Sequence, residues 1–329
     1  MTAEPSRRAV SIAARVARVT RPCREHVAIE LALDSFPPSH PGQFLQLRCA
    51  DDDHLGAGAR VVEWAPGRTP EISDPDLCER RPYLRRPFSI ADRWDTGRAA
   101  HLIVISRAIG AGTRWLDALT AQDALNITGP LGHGFDLPPA GQPVVLVGGG
   151  VGIPPLLYLA RRLRERGHVD ATLILGAMSR DLFPVELYAE PAAAGTPRRC
   201  AALPGDADYP TMVTTDDGTL GLRGYTTGAL QVWAEHRRRD AVPPLVFACG
   251  PEGMLRAVAR LTRTLGYSCQ LCIERTMGCG VGTCLSCVAR MRDASAPTGW
   301  RWALSCSVGP VFDRDALPDY DDDAPPRRH

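Results

Sequence analysis

The stretch Val144-Val145-Leu146-Val147-Gly148-Gly149-Gly150-Val151-Gly152-Ile153-Pro154-Pro155 decides how the second half of this 329-residue chain folds. Four apolar residues in a row read as a strand buried on both faces. After the glycines, Leu156, Leu157, Ala160 and Leu163 recur at helical spacing over Pro154 to Arg166. Strand, glycine loop and helix make a βα unit whose bare backbone can approach a pyrophosphate at a helix N-terminus. Gly149, Gly150, Gly152 and Pro155 therefore read as dinucleotide-binding positions. The pattern is G-x-G-x-x-P, not the six-residue Rossmann fingerprint, and a tight strand-to-helix turn would use the same glycines.

Downstream, Ala171 to Leu175 and Leu245 to Ala248 are two more apolar strands, each expected to lead into a helix, so residues 140–268 are predicted to be an α/β domain with a parallel sheet. Phe247-Ala248-Cys249-Gly250-Pro251-Glu252-Gly253-Met254 ends a strand at the sheet edge where ligands bind. Cys249 is there either a small buried apolar residue or part of a nicotinamide pocket.

Upstream the texture is β. Val27, Ile29, Leu31 and Leu33 alternate, and a Pro41-Gly42 turn precedes Phe44, Leu45 and Leu47. Strands are expected at Pro87 to Ala91, His101 to Ser106 and Leu125 to Thr128. Between the last two lie a Gly110-Ala111-Gly112-Thr113 turn and a short helix from Arg114 to Leu119, and a Gly129 to Phe135 loop closes the domain, 8–139. Residues 51–82 lose all periodicity and read as an insertion. Arg85-Arg86-Pro87-Phe88-Ser89-Ile90 puts a guanidinium and a hydroxyl on one strand, able to grip a phosphate and a ring edge, although an ordinary edge strand could look the same.

The most specific motif is Cys279-Gly280-Val281-Gly282-Thr283-Cys284-Leu285-Ser286-Cys287 followed by Cys306, the C-x4-C-x2-C plus distant cysteine spacing of plant-type [2Fe-2S] ligands. A cluster needs four thiolates converging on a small volume. Gly278, Gly280 and Gly282 let backbone amides turn toward the sulfurs. Structural zinc also takes four cysteines, but usually as paired C-x2-C knuckles. Residues 269–316 are the expected cluster domain, and 317–329, rich in Asp, Pro and Arg, the expected disordered tail.

Bulk composition narrows the function classes. The net charge of +1 gives no field for nucleic acid. No run approaches the roughly 20 apolar residues of a membrane helix, and Met1 to Arg21 has no secretory signal pattern, so a soluble, cytoplasmic protein is expected. Eleven cysteines in so long a chain, four of them in one terminal segment, favour a metal or cluster site over a disulfide scaffold.

Taken in order, Arg86-Pro87-Phe88-Ser89, Gly150-Val151-Gly152-Ile153-Pro154-Pro155 and Cys249-Gly250-Pro251 resemble the ferredoxin reductase superfamily. That implies an antiparallel FAD-binding β-barrel, then a parallel-sheet nucleotide domain, then here a small C-terminal cluster domain. Within it, Leu84 to Ile90, Gly129-Pro130-Leu131-Gly132-His133-Gly134-Phe135, Thr215-Asp216-Asp217-Gly218-Thr219 and Gly309-Pro310-Val311-Phe312 resemble the electron-transfer subunits of B-type dihydroorotate dehydrogenases, from about Val10 to Leu317.

The resemblance implies FAD on Arg86, Pro87, Phe88 and Ser89, with Gly110, Gly112 and Thr113 near its pyrophosphate. Phe88 stands where many relatives carry tyrosine, which removes a hydroxyl and keeps the flat ring. It implies NAD on Gly149, Gly150, Gly152 and Pro155, with Cys249, Gly250 and Pro251 on the nicotinamide side. Ser179 and Arg180 follow the second strand, where related reductases place donors for the 2′-phosphate of NADP, but Asp181 beside them would repel it. The implied partner is an FMN-containing subunit, in a heterotetramer, that oxidises dihydroorotate for pyrimidine synthesis. Electrons would pass from its FMN through the cluster and FAD to NAD+, with FAD converting between one-electron and two-electron carriers. Two other readings compete: a flavin and iron-sulfur subunit of an NAD(P)-dependent ferredoxin or sulfide oxidoreductase, and a zinc-bound interaction module without redox work.

Overall fold

The computed structural model describes residues 9–50, 67, 84–139, 141–237 and 242–321, so the expected insertion at 51–82 falls outside it apart from Gly67. In chain order, the first domain contains β1 (Val10–Cys23), β2 (His26–Leu33), β3 (Phe44–Leu47), β4 (Arg86–Ser89), β5 (Asp92–Asp95), β6 (Ala100–Arg107), α1 (Ala111–Asp117) and β7 (Ala124–Leu131). Its strands form one sheet in the order β4-β3-β7-β1-β2-β6-β5, every neighbouring pair antiparallel. Alternation closes it around a core: Ala100, Leu102 and Val104 of β6 meet Ile29 and Leu31 of β2 and Leu45 and Leu47 of β3.

Two expectations shift here. The Gly110 to Thr113 turn is the cap and first turn of α1, because the Thr113 hydroxyl accepts from the backbone N–H of Gly110 at 2.9 Å and of Ile109 at 3.0 Å. The closing loop starts later, since β7 runs on through Gly129 and Pro130 to Leu131.

The second domain contains β8 (Val144–Gly149), α2 (Ile153–Glu165), β9 (Ala171–Ala177), β10 (Thr211–Thr215), β11 (Leu222–Arg223), α3 (Thr226–Glu235), β12 (Leu245–Cys249), α4 (Glu252–Thr264) and β13 (Ser268–Cys272). A hairpin of β14 (Val288–Arg292) and β15 (Trp300–Leu304) follows, and then β16 (Val311–Asp313). The sheet order is β11-β10-β9-β8-β12-β13-β16, parallel except for β16. From β8 the chain winds outward through β9 to β11 and returns to β12 on the other side of β8. The loops after β8 and β12 therefore diverge and open a crevice at the carboxyl ends of the strands.

The sheet departs from expectation in three places. β9 leads only into a 3-10 turn at Arg180–Leu182, because Pro184, Pro191, Pro197 and Pro204 interrupt the segment before β10. β13 and β16 belong to the nucleotide-domain sheet, with Cys269, Leu271 and Phe312 buried in its core, so the cluster module is an excursion between two sheet strands rather than a block beginning at 269. The tail does not begin at 317: Leu317 and Tyr320 are buried, and the Tyr320 hydroxyl donates to Glu252 Oε2 at 2.7 Å. Residues 322–329 lie outside the described residues.

Candidate redox site

One cleft lies between the two sheets and the cluster module. Pro87, Phe88 and Ser89 of β4 and Thr113 of α1 line its first-domain wall. Gly152, Cys249 and Gly250 line the opposite side. Seven of the predicted positions thus converge from four separate parts of the chain. Arg86, Gly110, Gly112, Gly149, Gly150, Pro155 and Pro251 sit beside this group rather than on the cleft surface.

The glycine loop is packed as tightly as its sequence suggests. A Cβ on Gly152 would lie 2.2 Å from the Cys249 carbonyl oxygen, so only glycine lets the start of α2 pass the end of β12. Gly150 adopts φ +52°, and no atom stands within 4 Å of the Cβ position, which leaves room for a ligand. Pro155 is buried in the first turn of α2, where a missing N–H costs nothing.

Several cleft residues have no motif of their own. Ser106 and Arg107 come from the end of β6, and Cys272, Glu274, Arg275 and Met277 from the segment leaving β13. Ser106 could have been singled out by the alternation of β6. Among the described residues its buried hydroxyl has no hydrogen-bond partner, an orphan that a bound cofactor would complete. Cys272 pairs in register with Cys249 on the adjacent parallel strand. The neighbouring Cys272 thiol, followed by burial, raises the Cys249 pKa well above the usual thiol range, so Cys249 stands as a neutral thiol. Arg275 is tied to α4 by Glu252, whose Oε2 accepts from its Nη1 at 2.9 Å.

The four predicted cluster cysteines gather as two pairs. Cys279 contacts Cys284, and Cys287 contacts Cys306. The backbone N–H groups of Val281, Thr283 and Cys284 donate to Cys279 Sγ at 3.4, 3.3 and 3.4 Å, and that of Cys306 donates to Cys287 Sγ at 3.4 Å. Gly280 and Gly282, at φ +75° and +88°, turn the loop so that these amides face inward. In the outer pair, the hydrogen bond with the Ser286 hydroxyl at 3.1 Å is the largest cause holding Cys284 down to about 6, and the backbone amide of Cys284 lowers Cys279. Burial pushes Cys306 of the inner pair up to about 12, so it needs bound metal to ionise.

The four cysteines supply the soft sulfur donors that a [2Fe-2S] cluster would take, with inward-facing backbone amides at Cys279 and Cys287.

Residues 274–318 match the family described as the iron-sulfur cluster binding domain of dihydroorotate dehydrogenase B. Over 235 residues, 71% of this chain and 81% of the relative, the sequence is 31% identical to the electron transfer subunit of dihydroorotate dehydrogenase B (NAD(+)) from Caldanaerobacter subterraneus subsp. tengcongensis. Over 249 residues, 75% of this chain and 84% of the relative, it is 36% identical to the subunit of that name from Geobacillus thermodenitrificans. Among solved structures, an NADH-dependent reduced ferredoxin-NADP oxidoreductase aligns with 92% of this chain and 89% of its own, with TM-score 0.67 and 21% identity, a likeness of fold. An Amycolatopsis cytochrome P450 reductase aligns with 78% of this chain and 66% of its own, at TM-score 0.52.

Proposed function

This chain belongs to the family of electron-transfer subunits of dihydroorotate dehydrogenase B, and on that premise we propose that it carries electrons between an FMN-containing, dihydroorotate-oxidising partner and NAD+. The observation that carries the reading is the joining, at one cleft, of the β4 strand, the glycine loop and a module whose thiols pair two by two. When bound, FAD exchanges two electrons with the nicotinamide and single electrons with the cluster.

The chain's own residues serve this chemistry in separable ways. Pro87, Phe88 and Ser89 wall the cleft where a flavin ring would lie, with Ser106 offering its unpaired hydroxyl and Arg86 a guanidinium for the phosphates. Gly149, Gly150 and Gly152 admit the nucleotide pyrophosphate, while Cys249 and Gly250 bring the nicotinamide side against the flavin. Cys279, Cys284, Cys287 and Cys306 hold the cluster. Val281 and Leu285 are exposed beside it, an apolar rim suited to a partner subunit in the proposed heterotetramer.

NAD is favoured over NADP at the end of β9. Arg180 Nη2 lies 2.6 Å from Glu190 Oε1, Ser179 donates its hydroxyl to Asp181, and Arg24 Nε reaches Asp181 Oδ2 at 2.6 Å. A 2′-phosphate would meet two carboxylates there, and the local donors already have acceptors.

The likeness in fold to a ferredoxin-NADP oxidoreductase keeps the ferredoxin-linked reading as the alternative, while the relatives at 31% and 36% identity favour the dihydroorotate-linked one. The test is anaerobic purification followed by flavin, iron and sulfide analysis and a visible spectrum. The reading expects FAD with iron and sulfide in equal amounts; zinc without iron, or FMN in place of FAD, defeats it.

A further inference from the structure

Gln46 is fully buried, and neither its Oε1 nor its Nε2 has a hydrogen-bond partner among the described residues. A buried amide with both ends unpaired is uncommon in native proteins, and such a group marks a place where something else completes it. Leu45 and Leu47 belong to the first-domain core, and alternation along β3 turns Phe44 and Gln46 to the other face. Phe44 packs there against Cys287 and Cys306. Gln46, next on that face, lies flush against the cluster loop: a Cβ on Gly280 would sit 2.3 Å from its Nε2 and 2.6 Å from its Cγ. Gly280 therefore has two reasons to lack a side chain, its φ of +75° and the approach of this carboxamide. Across the ladder, Gln46 stands in register with Pro87 of the proposed flavin strand.

We propose that Gln46 Nε2 donates a hydrogen bond to a sulfur atom of the [2Fe-2S] cluster held by Cys279, Cys284, Cys287 and Cys306, and so raises the cluster's reduction potential. The proposal rests on the cluster reading above. The chemistry matches in sign and polarity. Thiolate and sulfide sulfurs in a cluster accept hydrogen bonds, and the end of the carboxamide against Gly280 is the NH2 end. Reduction adds one electron whose charge spreads onto the sulfurs, so a fixed donor binds the reduced form more strongly than the oxidised form. The backbone amides that reach Cys279 and Cys287 come from the cluster module itself. Gln46 would supply a donor from the first domain, which makes the potential sensitive to the docking of the module on β3.

The test replaces Gln46 by methionine, close in volume and without a donor, and follows the cluster by EPR-monitored redox titration of the full chain loaded with FAD and iron. Gln46→Met is expected to disfavour reduction about tenfold, ~59 mV lower for a one-electron couple, with iron and sulfide content equal to the parent. Gln46→His, which keeps an N–H donor, is expected to recover most of the shift. A fully loaded Gln46→Met protein with the parent potential overturns the assignment. Should that variant fail to load, pulsed EPR on the reduced parent protein carrying 15N-amide glutamine decides: a coupled 15N supports the contact, and its absence overturns it. A parent protein that binds no iron and sulfide would instead sink the cluster reading itself.

Discussion

Arg161 on α2 forks around the carboxylate of Asp92 on β5, with Nε 2.5 Å from Oδ1 and Nη2 2.9 Å from Oδ2, and so joins the helix that follows the glycine loop to the sheet that walls the cleft. Asp92 is buried, and one turn earlier on α2 the buried Tyr158 donates its hydroxyl to the Ser39 carbonyl at 2.9 Å. Removing one partner of a buried pair leaves the other charge uncompensated, which costs about 3–5 kcal/mol. Arg161→Met strands the buried Asp92 carboxylate and should lower stability by about that much in chemical denaturation, whereas a paired apolar replacement, Asp92→Leu with Arg161→Met, should recover a large part of it. Equal losses in the single and double variants would show that the pair is not what joins the domains.

Arg86 donates to the Leu84 carbonyl at 3.0 Å, while its neighbour Arg85 braces the sheet through the Gln46 and Asn126 carbonyl oxygens at 3.3 Å. The two arginines therefore have different work. Arg86→Ala should weaken FAD binding by the worth of a charge-assisted hydrogen bond, ~1.5–3 kcal/mol, or roughly 10- to 150-fold in Kd. The cluster should stay in place. Flavin fluorescence during dilution of the variant reads this directly, and unchanged FAD retention would mean that the phosphates lie elsewhere.

Cys284 is the exposed member of the outer thiol pair, and a serine there offers a harder, less acidic oxygen ligand. Cys284→Ser should lose the cluster or bind it weakly, as iron analysis would report. NADH oxidation with an artificial two-electron acceptor should persist, because it needs only FAD and the nucleotide site. Dihydroorotate-dependent NAD+ reduction with the partner subunit should collapse. Full activity in a variant shown to lack iron would rule out the cluster as the bridge between the two flavins.

In the proposed nucleotide site a 2′-phosphate would meet Asp181 and Glu190, so kcat/KM is expected to favour NADH over NADPH by at least roughly tenfold. Replacing both by amides, Asp181→Asn with Glu190→Gln, frees Arg180 and removes two negative charges. The gap should narrow several-fold through the KM for NADPH. Because these groups are exposed, the change should shrink at high salt. A nucleotide preference unmoved by the double variant would place the adenosine ribose elsewhere.

The parts of the protein legible in sequence are those set over short spans of chain. The β8 strand, its glycine loop and α2 announce themselves because burial on both faces, a tight turn and helical spacing leave local patterns. The Cys279 to Cys287 spacing does so because one loop must bring three thiols together. The separation of Gly110–Thr113 from α1, the helix expected after β9 and the start of the tail were misread because caps, prolines and packing decide such boundaries over a few residues. Only tertiary structure decided that β13 and β16 flank the cluster module within one sheet, that Cys272 stands beside Cys249, that Asp92 meets Arg161, and that Gln46 lies against Gly280. None of these contacts has a period or a spacing. They arise when separate elements bury their apolar faces against one another, and the partner of each polar group is then settled by what that packing leaves within reach.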